Sequence, residues 1–327
     1  MHILGHGLAI AATLIALVQQ APVQAQDYPT RPVTLIAPWP PGGAVDTICR
    51  ILGQKLSERL GKNVIVENRP GAGSVLGVSA TARAAPDGYT MVMAGSASLA
   101  TAVTIYKKLA YDPTRDFTPI AFITRIPFAL VVNPSMPVKT TADLIKLAKE
   151  KPGHLAYASG GAGSPHHLYT ELLMSMAGIE MTHVPYKGSA PALADIVAGH
   201  VPLMLGDIVA SLPLVREGKV RALGVTSLTR VPSAPEIPTI AETAVPGFEG
   251  VGWVMIVGPA NIPKAVVSRL HAEFKAVVAM PEIQRQLIRF GTIPVESPSP
   301  EEQQRYIDSE IGRWRPVVQK AGMAGSQ

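Results

Sequence analysis

Short apolar runs alternate with longer segments of helical period over most of the chain. From residue 33 onward the runs span four or five residues and are rich in Val, Ile and Leu. The first longer segment repeats apolar residues on one helix face, namely Val45, Cys49, Leu52 and Leu56. This alternation predicts an α/β fold with largely parallel strands. The first predicted elements are strand 33–37, helix 44–60, strand 64–67, helix 74–84 and strand 90–94.

Two similar phrases indicate that the chain builds two lobes. VVNPSMPVK at residues 131–139 and IVGPANIPK at 256–264 each predict an apolar strand that leads through two prolines into a helix. We expect the chain to leave a first lobe near residue 125 and to return near residue 252. Two crossing segments of this kind leave a cleft between the lobes and suit a hinge. The expected lobes are residues 26–125 plus 252–327, and residues 126–251.

The first 25 residues have the character of a secretory signal. They contain no Lys, Arg, Asp or Glu, and residues 8–18 form a continuous apolar run of 11 residues. A membrane-spanning helix needs about 20 apolar residues, whereas a signal peptide needs about 7–15 followed by a small-residue cleavage site. VQA at residues 23–25 fits such a site. We expect cleavage after Ala25 and a periplasmic protein; the alternative is a buried N-terminal helix.

The composition narrows the functional classes. With 327 residues, 47% hydrophobic and 16% charged, the chain is long enough for about two domains with a sizeable core. Its single cysteine forms neither an internal disulfide nor a thiolate zinc site. The formal net charge is only +5, and no run of Lys or Arg is present to follow a phosphate backbone. We therefore expect no nucleic-acid partner, no bound metal and no cofactor.

Four loops rich in glycine or small polar residues follow predicted strands. In open α/β lobes, ligands bind at the carboxyl ends of strands, where the first turn of the next helix presents free N–H groups to an anion. Each loop alone is explained by ordinary turn chemistry, but four of them divided between two lobes favour a shared cleft. The loops are PWPPGG at 38–43, GSAS at 95–98, SGGAGS at 159–164 and VPYKGS at 184–189.

The motifs of common catalytic sites are missing from the sequence. It contains neither a G-x-S-x-G elbow nor a G-x-x-x-x-G-K-[ST] phosphate loop. Residues 71–77 follow a strand, but Leu76 stands where a dinucleotide-binding loop needs its third glycine. Ser164 and His167 could in principle be a nucleophile and a base, yet a serine before Pro165 is far more often a helix N-cap. We expect no enzyme activity.

Eight short motifs follow one another along essentially the whole mature chain, in the order that a known family shows. They are APWPPGGAVD, ENRPGAGS, APDGYT, YDPTRDFTPIA, GSPHHL, HVPYKG, ALGVTS and PTIAE, starting at residues 37, 67, 85, 111, 163, 183, 222 and 238. In these motifs the chain resembles the periplasmic solute receptors of tripartite tricarboxylate transporters, the Bug or TctC-like proteins. The resemblance implies an α/β, two-lobed, type II periplasmic-binding-protein fold with a hinged interlobe cleft. It also implies that a monomer binds a small organic carboxylate and delivers it to integral-membrane permease subunits.

The resemblance further implies the ligand-binding residues. In this family, loops after the first strand of each lobe hold a carboxylate largely through backbone N–H groups and bridging waters. That role falls on Trp39, Pro41, Gly42 and Gly43 from the first lobe, and on Gly161, Gly163, Ser164 and His167 from the second. Ser96 and Ser98 match a ligand loop more loosely, Tyr186 and Lys187 belong to the VPYKG element, and Asp207 matches an acidic residue after a strand at 201–205.

Two positions depart from the family pattern. Val45 stands where Thr is usual and Ile208 where Asn is common, and both changes remove a polar group near the expected site. We therefore expect a less polar ligand. Trp39 either lies against the body of the ligand or packs on its own lobe.

Two other functions stay open beside transport. A receptor of this kind can present its loaded form to a membrane signalling domain, and the fold alone does not exclude an enzyme. A changed mass of the recovered ligand would indicate turnover, and growth on the acid after deletion of the receptor would separate sensing from uptake. The sequence does not identify the carboxylate.

Overall fold

The computed structural model describes residues 28–42 and 44–327, and within them the chain forms two β-sheets covered by helices. Residues 1–27 and Gly43 lie outside this part, and with them the expected signal peptide and its cleavage site. The strands are β1 (Val33–Ala37), β2 (Val64–Asn68), β3 (Thr90–Gly95), β4 (Phe117–Ile126), β5 (Phe128–Val132), β6 (Ala156–Ser159), β7 (Thr182–Pro185), β8 (Leu203–Asp207), β9 (Arg221–Val225), β10 (Gly252–Pro259) and β11 (Ile293–Pro294). The helices are α1 (Ala44–Leu60), α2 (Val75–Ala82), α3 (Ala102–Ile105), α4 (Thr141–Glu150), α5 (Pro165–Ala177), α6 (Ser189–Ala198), α7 (Ile208–Arg216), α8 (Ile240–Thr243), α9 (Lys264–Val278), α10 (Pro281–Arg289) and α11 (Pro300–Lys320).

The helix α1 shows how the sequence pattern becomes packing. It begins and ends at the predicted residues, and Cys49, Leu52 and Leu56 on its apolar face are fully buried against the first sheet. Burial raises the pKa of the Cys49 thiol, so this side chain acts as a small apolar group. Among the described residues, no helix combines the length and apolar content needed to cross a bilayer.

The strand order in the first sheet is β11-β4-β10-β3-β1-β2, and in the second it is β7-β6-β8-β5-β9. The expectation of largely parallel strands is wrong in part. β1 pairs in parallel with β2 and β3, and β6 pairs in parallel with β7 and β8. The remaining pairs are antiparallel. A strand buried on both faces has the same continuous apolar pattern in either direction, so that pattern could not give the direction.

Two neighbouring segments connect the sheets. Strand β4 ends at Ile126 and leads through Pro127 directly into β5 of the second sheet. Strand β10 returns the chain to the first sheet, and Gly252 at its start lies opposite Ile126 in antiparallel register. The first sheet therefore takes its strands from both ends of the described chain, and the second takes them from the middle.

One apolar core continues from one sheet to the other. It contains Trp253 of β10 together with Phe128 of β5 and Tyr169 of α5. Trp314 of α11 is 1% exposed, and its ring centroid lies 5.0 Å from that of Tyr169. The last helix thus packs against a helix of the second sheet as well as against the first sheet.

Candidate functional site

A buried carboxylate holds the loop that follows β1. Asp46, in the first turn of α1, accepts hydrogen bonds from the Gly42 N–H at 2.9 Å and from Asn68 Nδ2 at 2.7 Å. Asn68 also donates to the Trp39 carbonyl at 3.1 Å. Arg50, one turn further along α1, lies 3.0 Å from the Asp46 carboxylate. These contacts fix the loop against its own sheet.

The Asp46 carboxylate remains charged at neutral pH. It is 2% exposed, and burial by itself raises the pKa of a carboxyl group. Hydrogen bonds from Arg50, Gly42 and Asn68 outweigh burial, so the pKa of Asp46 lies below its ordinary value. The loop therefore keeps a charged acceptor beneath it.

This first loop has few amides to offer an anion. Pro38, Pro40 and Pro41 carry no N–H group, and the Gly42 amide is already bonded within the loop. Pro41 has no amide N–H to donate, so a contact of Pro41 with a ligand has to come from its ring or its carbonyl. Gly43, the other glycine of the set, lies outside the described residues.

The loop that follows β2 has an unusual backbone. Gly71, Ala72, Gly73 and Ser74 all have positive φ, between 47° and 134°. Ala72 and Ser74 are strained there, because a Cβ atom disfavours the left-handed region. The Ser74 hydroxyl is buried, and no hydrogen-bond partner lies within the described chain. Tyr106 donates to the Ala72 carbonyl at 3.1 Å, so this loop adjoins the segment after α3.

The two candidate serines after β3 are buried. Ser98 Oγ lies 3.3 Å from the Gly95 amide nitrogen and 3.2 Å from its carbonyl oxygen, so this hydroxyl closes the turn at the end of the strand. Ser96 is 6% exposed. Burial raises the pKa of Tyr169 of α5 and Ser96 partly offsets this rise, so the two side chains lie near each other between the sheets. The half-buried Trp39 packs against the core of the first sheet, one of the two roles considered for it.

Ser164 caps α5, as the sequence predicts. Its Oγ accepts the His167 N–H at 3.4 Å, and Pro165 occupies the first helical position. The hydroxyl also donates to the Gly161 carbonyl at 2.7 Å, which closes the loop on itself. Both contacts belong to a cap and not to a nucleophile.

His167 lies beneath this loop and is 7% exposed. Its Nδ1 accepts the Gly163 N–H at 3.3 Å, and its Nε2 lies 3.5 Å from Glu171 Oε1. The same carboxylate oxygen accepts a hydrogen bond from the Tyr157 hydroxyl at 2.7 Å. Burial raises the pKa of Glu171, but the hydrogen bonds from His167 and Tyr157 lower it by more. The pKa therefore lies below its ordinary value and the carboxylate stays charged. Both ring nitrogens of His167 are therefore occupied within the protein.

His183 stacks on His167 and serves a second amide of the loop. The ring centroids lie 3.8 Å apart with an interplanar angle of 17°. His183 Nε2 lies 2.6 Å from Ser159 Oγ, and Ser159 accepts the Gly161 N–H at 3.0 Å. Burial lowers the pKa of His183 to about 4. Sequence reasoning missed this ring, although it opens the HVPYKG motif.

Two amides at the start of α5 remain unbonded, besides that of Gly160 just after β6. Within the described chain, the N–H groups of Gly160, Ala162 and His166 make no hydrogen bond. Ala162 is exposed, and His166 is the second residue of α5. The amides of Gly161, Gly163 and Ser164 donate hydrogen bonds within the protein. The start of α5 therefore presents two free N–H donors next to amides that are already bonded.

The VPYKG element supports the loop from the side. The Tyr186 hydroxyl donates to Asp195 Oδ2 at 2.6 Å, and this bond, with burial, raises the pKa of Tyr186 to about 12. The Tyr186 carbonyl lies 3.2 Å from where a Cβ atom on Gly161 would stand, so the close approach needs glycine. Lys187 is exposed.

Asp207 links the beginnings of three helices. Its Oδ1 caps α7 by accepting the Ala210 N–H at 3.2 Å. Its Oδ2 accepts from the Ser189 hydroxyl at 2.5 Å and lies 3.3 Å from His166 Nε2. Burial raises the pKa of Asp207, but these bonds more than compensate, so the pKa is lowered. The next residue, Ile208, is fully buried and packs against the second-sheet core.

The loops of the two sheets approach each other near Gly163. A Cβ atom on Gly163 would stand 3.3 Å from the Ile105 side chain, at the end of α3. Gln327 Nε2 lies 3.5 Å from the Ala162 carbonyl. The structure thus brings the loop after β6 close to residues after β3. In the part of the chain that the structure describes, no cluster of His, Cys, Asp or Glu could hold a metal ion.

The comparison with known protein families decides the identity of the chain. The model of the tripartite tricarboxylate transporter family receptor matches residues 48–323. The chain belongs to this receptor family. A relative from Pseudomonas sp. (strain P51), described as a UPF0065 protein in the tcbD-tcbE intergenic region, is 39% identical over 95% of this chain and 92% of its own length. This membership confirms the family resemblance, and its receptor character agrees with the expectation that the chain is not an enzyme.

Solved structures of similar receptors give the same two-lobed α/β fold. Rpa4515 of R. palustris, solved with adipate, is 39% identical with a TM-score of 0.82 and covers 91% of this chain and 99% of its own. The periplasmic binding protein BugD is 32% identical with a TM-score of 0.78, over 91% and 99% of the two chains. MatC of Rhodopseudomonas palustris, solved with malate, is 32% identical with a TM-score of 0.77, over 89% and 100%.

Proposed function

We propose that the chain is a solute receptor that binds a small dicarboxylate between the loops of the two sheets and delivers it to a membrane permease. The observation that carries this proposal is the loop before α5, where two amides stay free while their neighbours are held by side chains. The adipate and malate held by two relatives support the ligand class. Both are dicarboxylates, so each lobe can hold one end.

A carboxylate suits the start of α5 on physical grounds. The free N–H groups of Ala162 and His166 are available to an acceptor, and the N-terminus of a 13-residue helix favours negative charge. A charge-assisted hydrogen bond contributes roughly 1.5–3 kcal/mol, so about four donors supply the roughly 8 kcal/mol of micromolar binding. The negative charge of the nearby Asp207 carboxylate is stabilised by its own three hydrogen-bond partners, His166, Ser189 and Ala210.

We further propose how the chain is processed and how it moves. Removal of residues 1–25 after Ala25 would release a monomer into the periplasm, where the related BugD also acts as a binding protein. Residues 26–125 plus 252–327 would form one lobe and residues 126–251 the other. The two adjacent connecting segments between the sheets are compatible with closure of these lobes around the ligand.

Calorimetric titration of the protein that begins at Gln26 tests the ligand class. We expect adipate or malate to bind at micromolar concentration and the corresponding diamides, which lack the charge, not to bind. Failure of both acids and of other short dicarboxylates, or recovery of a chemically altered acid, would overturn the proposal. For the permease step, we expect deletion of the receptor to abolish uptake of the bound acid; unchanged uptake would refute that step.

A further inference from the structure

Two stacked imidazoles lie directly beneath the loop before α5. His167 comes from α5 and His183 from β7, and their centroids are 3.8 Å apart. Each ring serves one glycine amide of the loop. His167 Nδ1 accepts the Gly163 N–H directly, and His183 reaches the Gly161 N–H through the Ser159 hydroxyl.

The contacts of His167 define its tautomer. An amide N–H donates to Nδ1, so this nitrogen must present a lone pair. Nε2 lies 3.5 Å from the Glu171 carboxylate. A carboxylate accepts hydrogen bonds, so this nitrogen is the one that carries a proton. Tyr157 donates to the same oxygen and anchors it. The geometry therefore assigns Nδ1 as an acceptor and Nε2 as the donor towards Glu171, so neither ring nitrogen is left for a ligand.

The loop depends on these side chains because its glycines belong to no helix or strand. Gly161 and Gly163 have φ values of 119° and 76°, and regular secondary structure offers their amides no acceptor. A buried amide without a partner is costly, so the side chain that satisfies it also selects the loop conformation. The acceptor position on His167 thereby fixes how the backbone runs into α5.

We propose that His167 is a positioning residue of the carboxylate-binding loop, which sets the Gly163 amide through Nδ1 and does not itself touch the ligand. Because the Gly163 amide is bonded to His167, the Ala162 and His166 amides remain the free donors at the start of α5. The inference rests on the proposed function, because it assumes that the loop binds a carboxylate. His183 and Ser159 perform the same task at Gly161.

Three substitutions at His167 separate the acceptor from the packing. Asparagine places an oxygen near the position of Nδ1, glutamine places its polar group near Nε2, and phenylalanine keeps the ring stack without an acceptor. Adipate is the probe, measured by calorimetry. We expect His167→Asn to bind within about threefold of the unsubstituted protein, and His167→Gln and His167→Phe about tenfold more weakly. His200→Phe, at a histidine whose side chain is 70% exposed, is the matched control and should bind as the unsubstituted protein does.

Nitrogen-15 NMR of the ligand-free protein gives a second reading that does not depend on binding. We expect His167 Nδ1 to be unprotonated and Nε2 protonated, and the Gly163 amide shift to change in the Gln and Phe variants but not in the Asn variant. Full adipate binding by His167→Phe, or a proton on Nδ1, would overturn the positioning role. If the unsubstituted protein binds no dicarboxylate, the proposed function fails, while the NMR readings still decide what His167 does.

Discussion

Ser74 offers a sharp test of the strain observed beside the candidate site. This residue has φ of 80° and precedes α2, yet its side chain makes no capping hydrogen bond. Its hydroxyl is buried without a partner in the described chain. The change Ser74→Gly removes both the Cβ atom and the hydroxyl, so we expect it to stabilise the folded protein.

The magnitude follows from three contributions. A non-glycine residue in the left-handed region costs about 1 kcal/mol. A buried hydroxyl without a hydrogen bond costs about 1–3 kcal/mol. Glycine gives back about 0.5–1 kcal/mol by making the unfolded chain more flexible. The net expectation is a gain of about 1–3.5 kcal/mol in the free energy of unfolding.

Two further substitutions separate the contribution of the buried hydroxyl to this stability gain from that of the backbone strain. Ser74→Ala removes the hydroxyl but keeps the strained Cβ atom, so it should show only the gain from the hydroxyl. Ala72→Gly, at an exposed residue with φ of 47°, removes strain alone and should change stability by at most a few tenths of a kcal/mol, because strain relief and unfolded-state flexibility nearly cancel.

Urea unfolding followed by tryptophan fluorescence measures all three variants. The midpoint should rise for Ser74→Gly while the slope stays unchanged, since the slope reports on the surface exposed by unfolding. A lower midpoint for Ser74→Gly would refute the strain argument. Loss of stability in Ser74→Ala would mean that the hydroxyl has a favourable partner after all.

Three other changes test the supports of the loops. Asp46→Asn should cost about 2 kcal/mol at pH 7, measured by urea unfolding, because the charged acceptor for the Gly42 amide is lost. Since the pKa of Asp46 is lowered in the folded state, its contribution is present above about pH 4 and is lost as the pH falls through the folded pKa, so variant and parent should converge in acid. Gly163→Val should lose both adipate binding and stability, because φ is 76° and the new side chain meets Ile105 at 3.3 Å; full stability in thermal unfolding would contradict this. Asp207→Ala should lower the unfolding midpoint by removing the α7 cap, at a cost of about 1–2 kcal/mol, and an unchanged midpoint would show that the cap is dispensable.

Local features of the fold could be predicted from the sequence. The bounds of β1 and α1 follow from the period of their apolar residues, and the Ser164 cap follows from a serine placed before Pro165. Each of these signals lies within a few residues of the element that it defines. The physical cause is equally local, since side-chain period and cap chemistry act over one or two turns.

The supports of the site could not be predicted, because they join distant residues. His183 comes near His167 because β7 pairs in parallel with β6, and α5 packs back onto the same sheet. Asn68 reaches Asp46 because β2 lies beside β1. Apolar periodicity is equally compatible with other strand orders, and only the observed order brings these side chains together.

The loops after β1 and β6 are held by opposite chemistry, and the difference bears on where an anion is bound. The charged Asp46 lies beneath the first loop, paired with Arg50 at 3.0 Å, and it binds the Gly42 amide that would otherwise be free for an anion. That loop also contains three prolines and offers few donors. The loop before α5 rests instead on two imidazoles: His183, whose pKa is lowered to about 4, and His167, whose Nδ1 accepts the Gly163 N–H. With the Gly161 and Gly163 amides held by side chains, the Ala162 and His166 amides stay free for a carboxylate. We therefore expect the start of α5 to supply the main anchor for the acid and the first loop to close over the less charged part of the ligand.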